Sequence, residues 1–252
     1  MRPAGMRRAL HAEWTKLRTA PGTVWLVLAV IALTVAMGAA ATVSCPGDGC
    51  AVDPARTSLS GVELGQAVVA ILAVLAIGGE YSTGMIRVTL TAMPRRTTVL
   101  AAKAAVLSGV VLVAGTVSVL ASLLAGRLIL PGPHPSAGDG SVLRATAGSI
   151  LYLALIGLLS LGTAIAVRDP ATAIGSVLGL LYLFPIITHA VSDPDWQRHL
   201  EQIGPMSAGL TVQATTHLSG LPIGPWAGLG VLAIWAAASL LFAGLLLHLR
   251  DA

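Results

Sequence analysis

"LGQAVVAILAVLAIGGEYSTGMIRVTLTAMPRRTTVLAAKAAVLSGVVLVAGTVSVLASLLAG", residues Leu64–Gly126, holds two long apolar runs and one polar interruption. Leu64–Gly79 and Ala104–Gly126 contain no Asp, Glu, Lys or Arg, whereas Glu80, Tyr81, Arg87, Arg95, Arg96 and Lys103 crowd between them. The hydrocarbon core of a bilayer is about 30 Å thick, and a helix rises about 1.5 Å per residue, so a span needs about 20 apolar residues. The stretch therefore reads as two membrane crossings joined by a charged connection.

The rest of the chain repeats this pattern. Hydrophobic residues make up 55% of the 252 residues and charged residues 10%, against about 25% charged in a soluble domain. Further blocks without Asp, Glu, Lys or Arg cover Thr19–Gly47, Ala145–Val167, Pro170–Ser192 and Gln202–Leu249. The runs are continuous, with no alternation of polar and apolar residues, which excludes a transmembrane β-barrel. The expected fold is an all-α integral membrane protein forming one transmembrane domain over 1–252. Its six spans are expected at 23–43, 61–79, 104–126, 145–167, 171–191 and 226–247.

Orientation follows from Lys and Arg, which remain cytoplasmic in short loops. With both termini inside, Arg2, Arg7, Arg8, Lys16, Arg18, Arg87, Arg95, Arg96, Lys103, Arg168 and Arg250 are cytoplasmic, and Arg56, Arg127, Arg144 and Arg198 are external. The net charge of +4 then marks contact with anionic headgroups, not nucleic acid. The first apolar run is too long for the core of a cleaved signal and is read as a retained anchor.

Before that run, "MRRALHAEWTKLRTAPG" spaces Met6, Leu10, Trp14 and Leu17 by four, four and three residues, with basic residues on other faces. Residues 1–22 are thus expected to form an amphipathic helix in the interface, closed by Pro21–Gly22. Cys45 and Cys50 flank Pro-Gly-Asp-Gly in the first external loop. A turn there in an oxidising compartment favours a local disulfide over free thiols.

Catalytic signals are few. Lys16 and Lys103, the only lysines, lie in "WTKL" and "AAKA", so no phosphate-binding loop of the Gly-Lys-Ser/Thr type exists. "GLLSLG" has one residue too many before Ser160 for a nucleophile elbow. His134, His199 and His217 are scattered through external loops, and no metal is assigned. The spans lack the midplane ionisable residues usual in pumps and secondary transporters. An energy source is expected on a partner.

In the connection, Met85, Ile86, Leu90 and Met93 are spaced for a short helix that Thr83 can start and Pro94 ends. Glu80 and Arg87, seven residues apart, share a face if the helix is continuous. This segment resembles the corresponding signature in permease subunits of type 2 ATP-binding-cassette (ABC) exporters. The matching residues are Gly79, Glu80, Gly84, Ile86, Leu90, Pro94, Arg96 and Lys103, with Met85 where threonine is commoner. "EWTKLRT", with Glu13, Trp14 and Lys16, is similar to the motif before the first span of that family. "DWQRHLEQIGPMSAGL" is similar to its external helical region, expected here within 192–225.

The resemblance implies an export permease in a bacterial plasma membrane, multi-pass, with both termini cytoplasmic. Its substrate would be amphipathic or hydrophobic. ATP and Mg would be held by separate cassette ATPase subunits, so the chain itself would be no enzyme and bind no cofactor. The partners implied are those ATPases, a second permease copy and the bilayer. Residues 80–103 would form the cytoplasmic coupling segment, in which Glu80, Tyr81, Gly84 and Arg87 meet the ATPase. The alternative from composition is a non-transporting membrane anchor or assembly factor that recruits an ATPase or enzyme.

Overall fold

The computed structural model describes residues 3–44, 53–85, 96–129 and 139–249. Cys45, Cys50, Arg87 and Pro94 lie outside these ranges, and so do the expected disulfide and most of the connection between spans two and three. Among the described residues, six helical segments are long and apolar enough to cross a membrane, which makes this an all-helical, multi-pass membrane protein.

Helix α1 covers Pro3–Thr19 and α2, the first span, Pro21–Val43. A short α3, Pro54–Leu59, leads into α4, Val62–Ser82. Helices α5, Arg96–Ile129, and α6, Gly140–Val167, are the third and fourth spans. Their apolar runs are extended by polar turns at the ends, so both helices exceed their expected bounds. The fifth span comprises α7, Pro170–Leu178, a π-helical turn, Gly179–Leu183, and α8, Phe184–Ala190. Between spans five and six lie α9, Pro194–Ile203, and α10, Pro205–Leu210. The last span is α11, Pro225–Leu249.

Helix α6 is the centre of the bundle, packed by α4, α5 and α11, while α2 lies across α4 and α5. Tyr152, Leu153, Ile156 and Leu159 of α6 meet Leu72, Val111 and Leu232 in one continuous core. By contrast, Trp25, Ile234 and Leu241 are more than 70% exposed. Patches of large apolar side chains on this scale would be unstable facing water and match a lipid-facing surface.

Small residues let the spans touch. At Gly61 an added Cβ would sit 1.9 Å from the carbonyl oxygen of Thr34 on α2, and at Gly228 2.0 Å from that of Ala208. Such backbone approach is how membrane helices gain contact where lipid competes for apolar side chains. The π turn in span five has an identifiable cause in Pro185, which lacks an N–H and whose ring opposes the carbonyl four residues earlier. The N–H of Phe184 bonds instead to the oxygen of Gly179, one residue beyond the usual partner.

The short helices outside the spans are tied back to the span ends. Asp53 caps α3 through Arg56 N–H and also accepts from the backbone N–H of Thr215 at 2.7 Å and its hydroxyl at 2.6 Å. Arg144 at the start of α6 donates to the Ala214 carbonyl at 2.7 Å. Within the spans, the Tyr152 hydroxyl donates to Gln66 Oε1, and Gln66 Nε2 donates to Met206 Sδ at 3.2 Å.

Candidate functional site

Two glutamates and two lysines from three helices meet at one end of the bundle. Glu13 and Lys16 lie on α1, Glu80 in the last turn of α4, and Lys103 in the second turn of α5. Lys103 Nζ donates to Glu13 Oε2 and Glu80 Oε1, both at 2.6 Å. Lys16 Nζ donates to Glu13 Oε1 at 3.0 Å and Glu80 Oε1 at 2.8 Å. The four form a closed ring in which the charges alternate.

Burial makes the ring demanding. Glu13, Glu80 and Lys103 are 4 to 5% exposed, and only Lys16 reaches solvent. A buried pair adds little net stability, because desolvation offsets the attraction, but removal of one member leaves an uncompensated charge. For Lys16, burial lowers the pKa, yet the hydrogen bonds to Glu80 and Glu13 and their two negative charges outweigh it and raise the pKa overall.

Helix α1 reaches the ring because Ala9 and Glu13 share its buried face one turn apart, with Ala9 completely enclosed. Of the apolar stripe expected to face the bilayer, Trp14 is exposed while Met6, Leu10 and Leu17 are half-buried. Lys103 arrives through the early start of α5 at Arg96, which makes it a helix-interior residue.

Helix α4 ends at Ser82, so Glu80 is not on a helix continuous through position 84, the condition on which a common face with Arg87 depended. Thr83 caps the end of α4, its N–H and hydroxyl both bonding to the Gly79 carbonyl, and helix resumes at Met85. Gly84 follows at φ +70, a left-handed conformation that suits glycine and turns the chain out of the helix. Tyr81, one residue beyond Glu80, lies under the Arg168 guanidinium at 5.9 Å from its ring centre. Glu80, Glu13 and Lys16 thus come together, Tyr81 and Gly84 flank them, and Arg87 lies outside the described residues. Lys103 is the member that sequence reasoning left without a role in the site. Its signal was a lone lysine abutting an apolar run, where a charge must snorkel or find a partner.

The charges on Glu80 are answered within this chain, so its expected direct meeting with an ATPase is not needed to explain its polarity. One oxygen remains: Glu80 Oε2 is buried and has no hydrogen-bond partner among the described residues. Beside it opens a cleft of about 320 Å³, lined by Glu80, Lys103, Leu26, Leu72, Leu75 and Leu107, among others. At the opposite end of the bundle a cleft of about 230 Å³ includes Arg56, His189 and Glu201. Among the described residues no group of three or more His, Cys, Asp or Glu is placed to hold a metal ion.

No protein-family model matches the chain, and no curated protein matches it significantly in sequence.

Proposed function

We propose that this chain is the permease subunit of an ATP-driven exporter, with ATP hydrolysed by a separate cassette ATPase. The observation that carries the reading is the convergence of two distant motifs. Glu13 and Lys16 of "EWTKLRT" and Glu80 and Lys103, which bound the connection after span two, occupy one buried ring. These are residues on which the resemblance to exporter permeases rests, and their contact supports reading them as one working part.

The ring sits at both roots of the connection. Helix α4 ends at Ser82, two residues after Glu80, and α5 begins at Arg96, seven before Lys103, so a push on the connection is delivered to two helix ends bound through the same charges. Helix α1 is held to both. A partner ATPase that seats residues 86–95 would then tilt α1, α4 and α5 together. Glu80 positions the lever, and Arg87 is the better candidate for direct contact. A second permease copy completes the assembly in this reading, and the cargo is an amphipathic or hydrophobic molecule in a bacterial plasma membrane.

The test is purification of the tagged chain from its native membrane, followed by identification of bound proteins and reconstitution into vesicles. The expected result is a cassette ATPase in near-equal amount and ATP-dependent movement of a hydrophobic cargo. Recovery of the chain with a different enzyme, or with no ATPase at all, would favour the anchor reading.

A further inference from the structure

We propose that the cleft beside the charge ring binds a single-chain amphiphile with a neutral hydroxyl head, the hydroxyl donating to Glu80 Oε2 and the chain lying along Leu26, Leu72, Leu75 and Leu107.

The head follows from hydrogen-bond and charge accounting. Glu80 Oε1 accepts from both lysines, while Oε2 accepts from no group among the described residues, although Glu80 is 5% exposed. A buried carboxylate oxygen without a donor is costly, and a donor delivered by a ligand removes that cost. The ring already balances two glutamates against two lysines. An ammonium head would leave a net positive charge in a poorly hydrated place and a carboxylate head a net negative one, whereas a hydroxyl supplies the donor and disturbs neither sign.

The tail follows from the walls. Leu72 and Glu80 both line the cleft and are eight residues apart on α4, so it runs about 12 Å along that helix toward the bundle interior. Leu161 of α6 and Val106 of α5 continue the apolar lining. The volume of about 320 Å³ lies at the lower end of the range for small-molecule sites, about 300 to 1,000 Å³. A slender chain suits it better than a ring system. The inference is independent of the transport reading, since it concerns binding by this chain alone.

The probe is 1-dodecanol carrying a photoreactive diazirine at its far end, added to the protein in phosphatidylcholine discs, with labelled residues mapped by mass spectrometry. Saturable labelling at Leu72, Leu75 or Leu161 is expected. Unlabelled 1-dodecanol should compete at a bilayer mole fraction at least about tenfold below that needed for dodecanoate, which brings no donor, the preference one hydrogen bond to a charged acceptor provides, and below that needed for dodecylamine, whose charge unbalances the ring. Gly79→Leu should abolish this labelling, because a Cβ added there has open space within 4 Å and projects from a residue that lines the cleft. Ala76→Phe is a second plug should the first variant fail to insert. Labelling no stronger than at the exposed Leu241 and Phe242, equal competition by the amine or the acid, or undiminished labelling in a folded plug variant would overturn the proposal.

Discussion

Lys103 Nζ lies 2.6 Å from Glu80 Oε1 although 23 positions separate the two residues. The contact ties the end of one span to the start of the next across the whole connection between them. Lys103→Met should therefore leave two buried carboxylates facing only the part-exposed Lys16. Loss of one member of a buried pair typically costs about 3 to 5 kcal/mol, so thermal melting of the purified protein should fall well below wild type. Unchanged melting would mean that water reaches the ring and screens it.

Two glycines should respond differently to alanine. At Gly61 the new methyl would overlap the Thr34 backbone oxygen, which no side-chain rotation relieves. Overpacking of this kind costs about 1 to 3 kcal/mol. At Gly84 there is room for a Cβ, but φ is +70, so the cost is conformational, about 1 kcal/mol. Melting curves should rank Gly61→Ala below Gly84→Ala, and the reverse order would remove the close approach of α2 and α4.

Span five carries Gly175 and Gly179 one turn apart, and a Cβ on either would meet nothing within 4 Å. Neither glycine is required for packing inside the chain. Leucine at both positions should leave the melting of the isolated subunit unchanged and abolish cross-linking between copies if this face joins the second permease. Intact cross-linking would assign the face to lipid.

The raised pKa of Lys16 sets a direction for alkaline conditions. A group whose folded pKa exceeds its unfolded value of about 10.4 contributes all its stability below that value and loses it as pH rises through the folded pKa. The melting difference between wild type and Lys16→Met should stay constant from about pH 7 to 10 and close above that. Closure already near pH 8 would contradict the pairing.

The spans were legible because crossing a bilayer is a one-dimensional demand: enough consecutive apolar residues, without charge. Trp226–Leu247 and Ala145–Val167 satisfy it without any knowledge of their neighbours. The break in span five was less legible, since Pro185 permits a kink but local packing selects the π turn. The ring was hidden for a different reason. Glu13 and Lys103 are 90 residues apart, and only the packing of α1 against α5 brings them together. Gly84 was read as part of a motif, but its left-handed φ shows the physical need behind it. That need also separates Glu80 from Arg87.

The account turns on whether the ring transmits force between the connection and the spans. The most direct measurement is substrate-stimulated ATP hydrolysis by the complex with the proposed cassette ATPase, taken through the cycle of wild type, Glu80→Gln, Lys103→Met and the double variant. Neutral replacements are required, since exchanging the two charges would set Lys beside Lys16 and Glu beside Glu13. Each single variant is expected to lose stimulation by about tenfold or more, and the double variant to be no worse than the poorer single, because contacting residues are not additive. Wild-type stimulation in both single variants, or losses that simply multiply in the double, would contradict it.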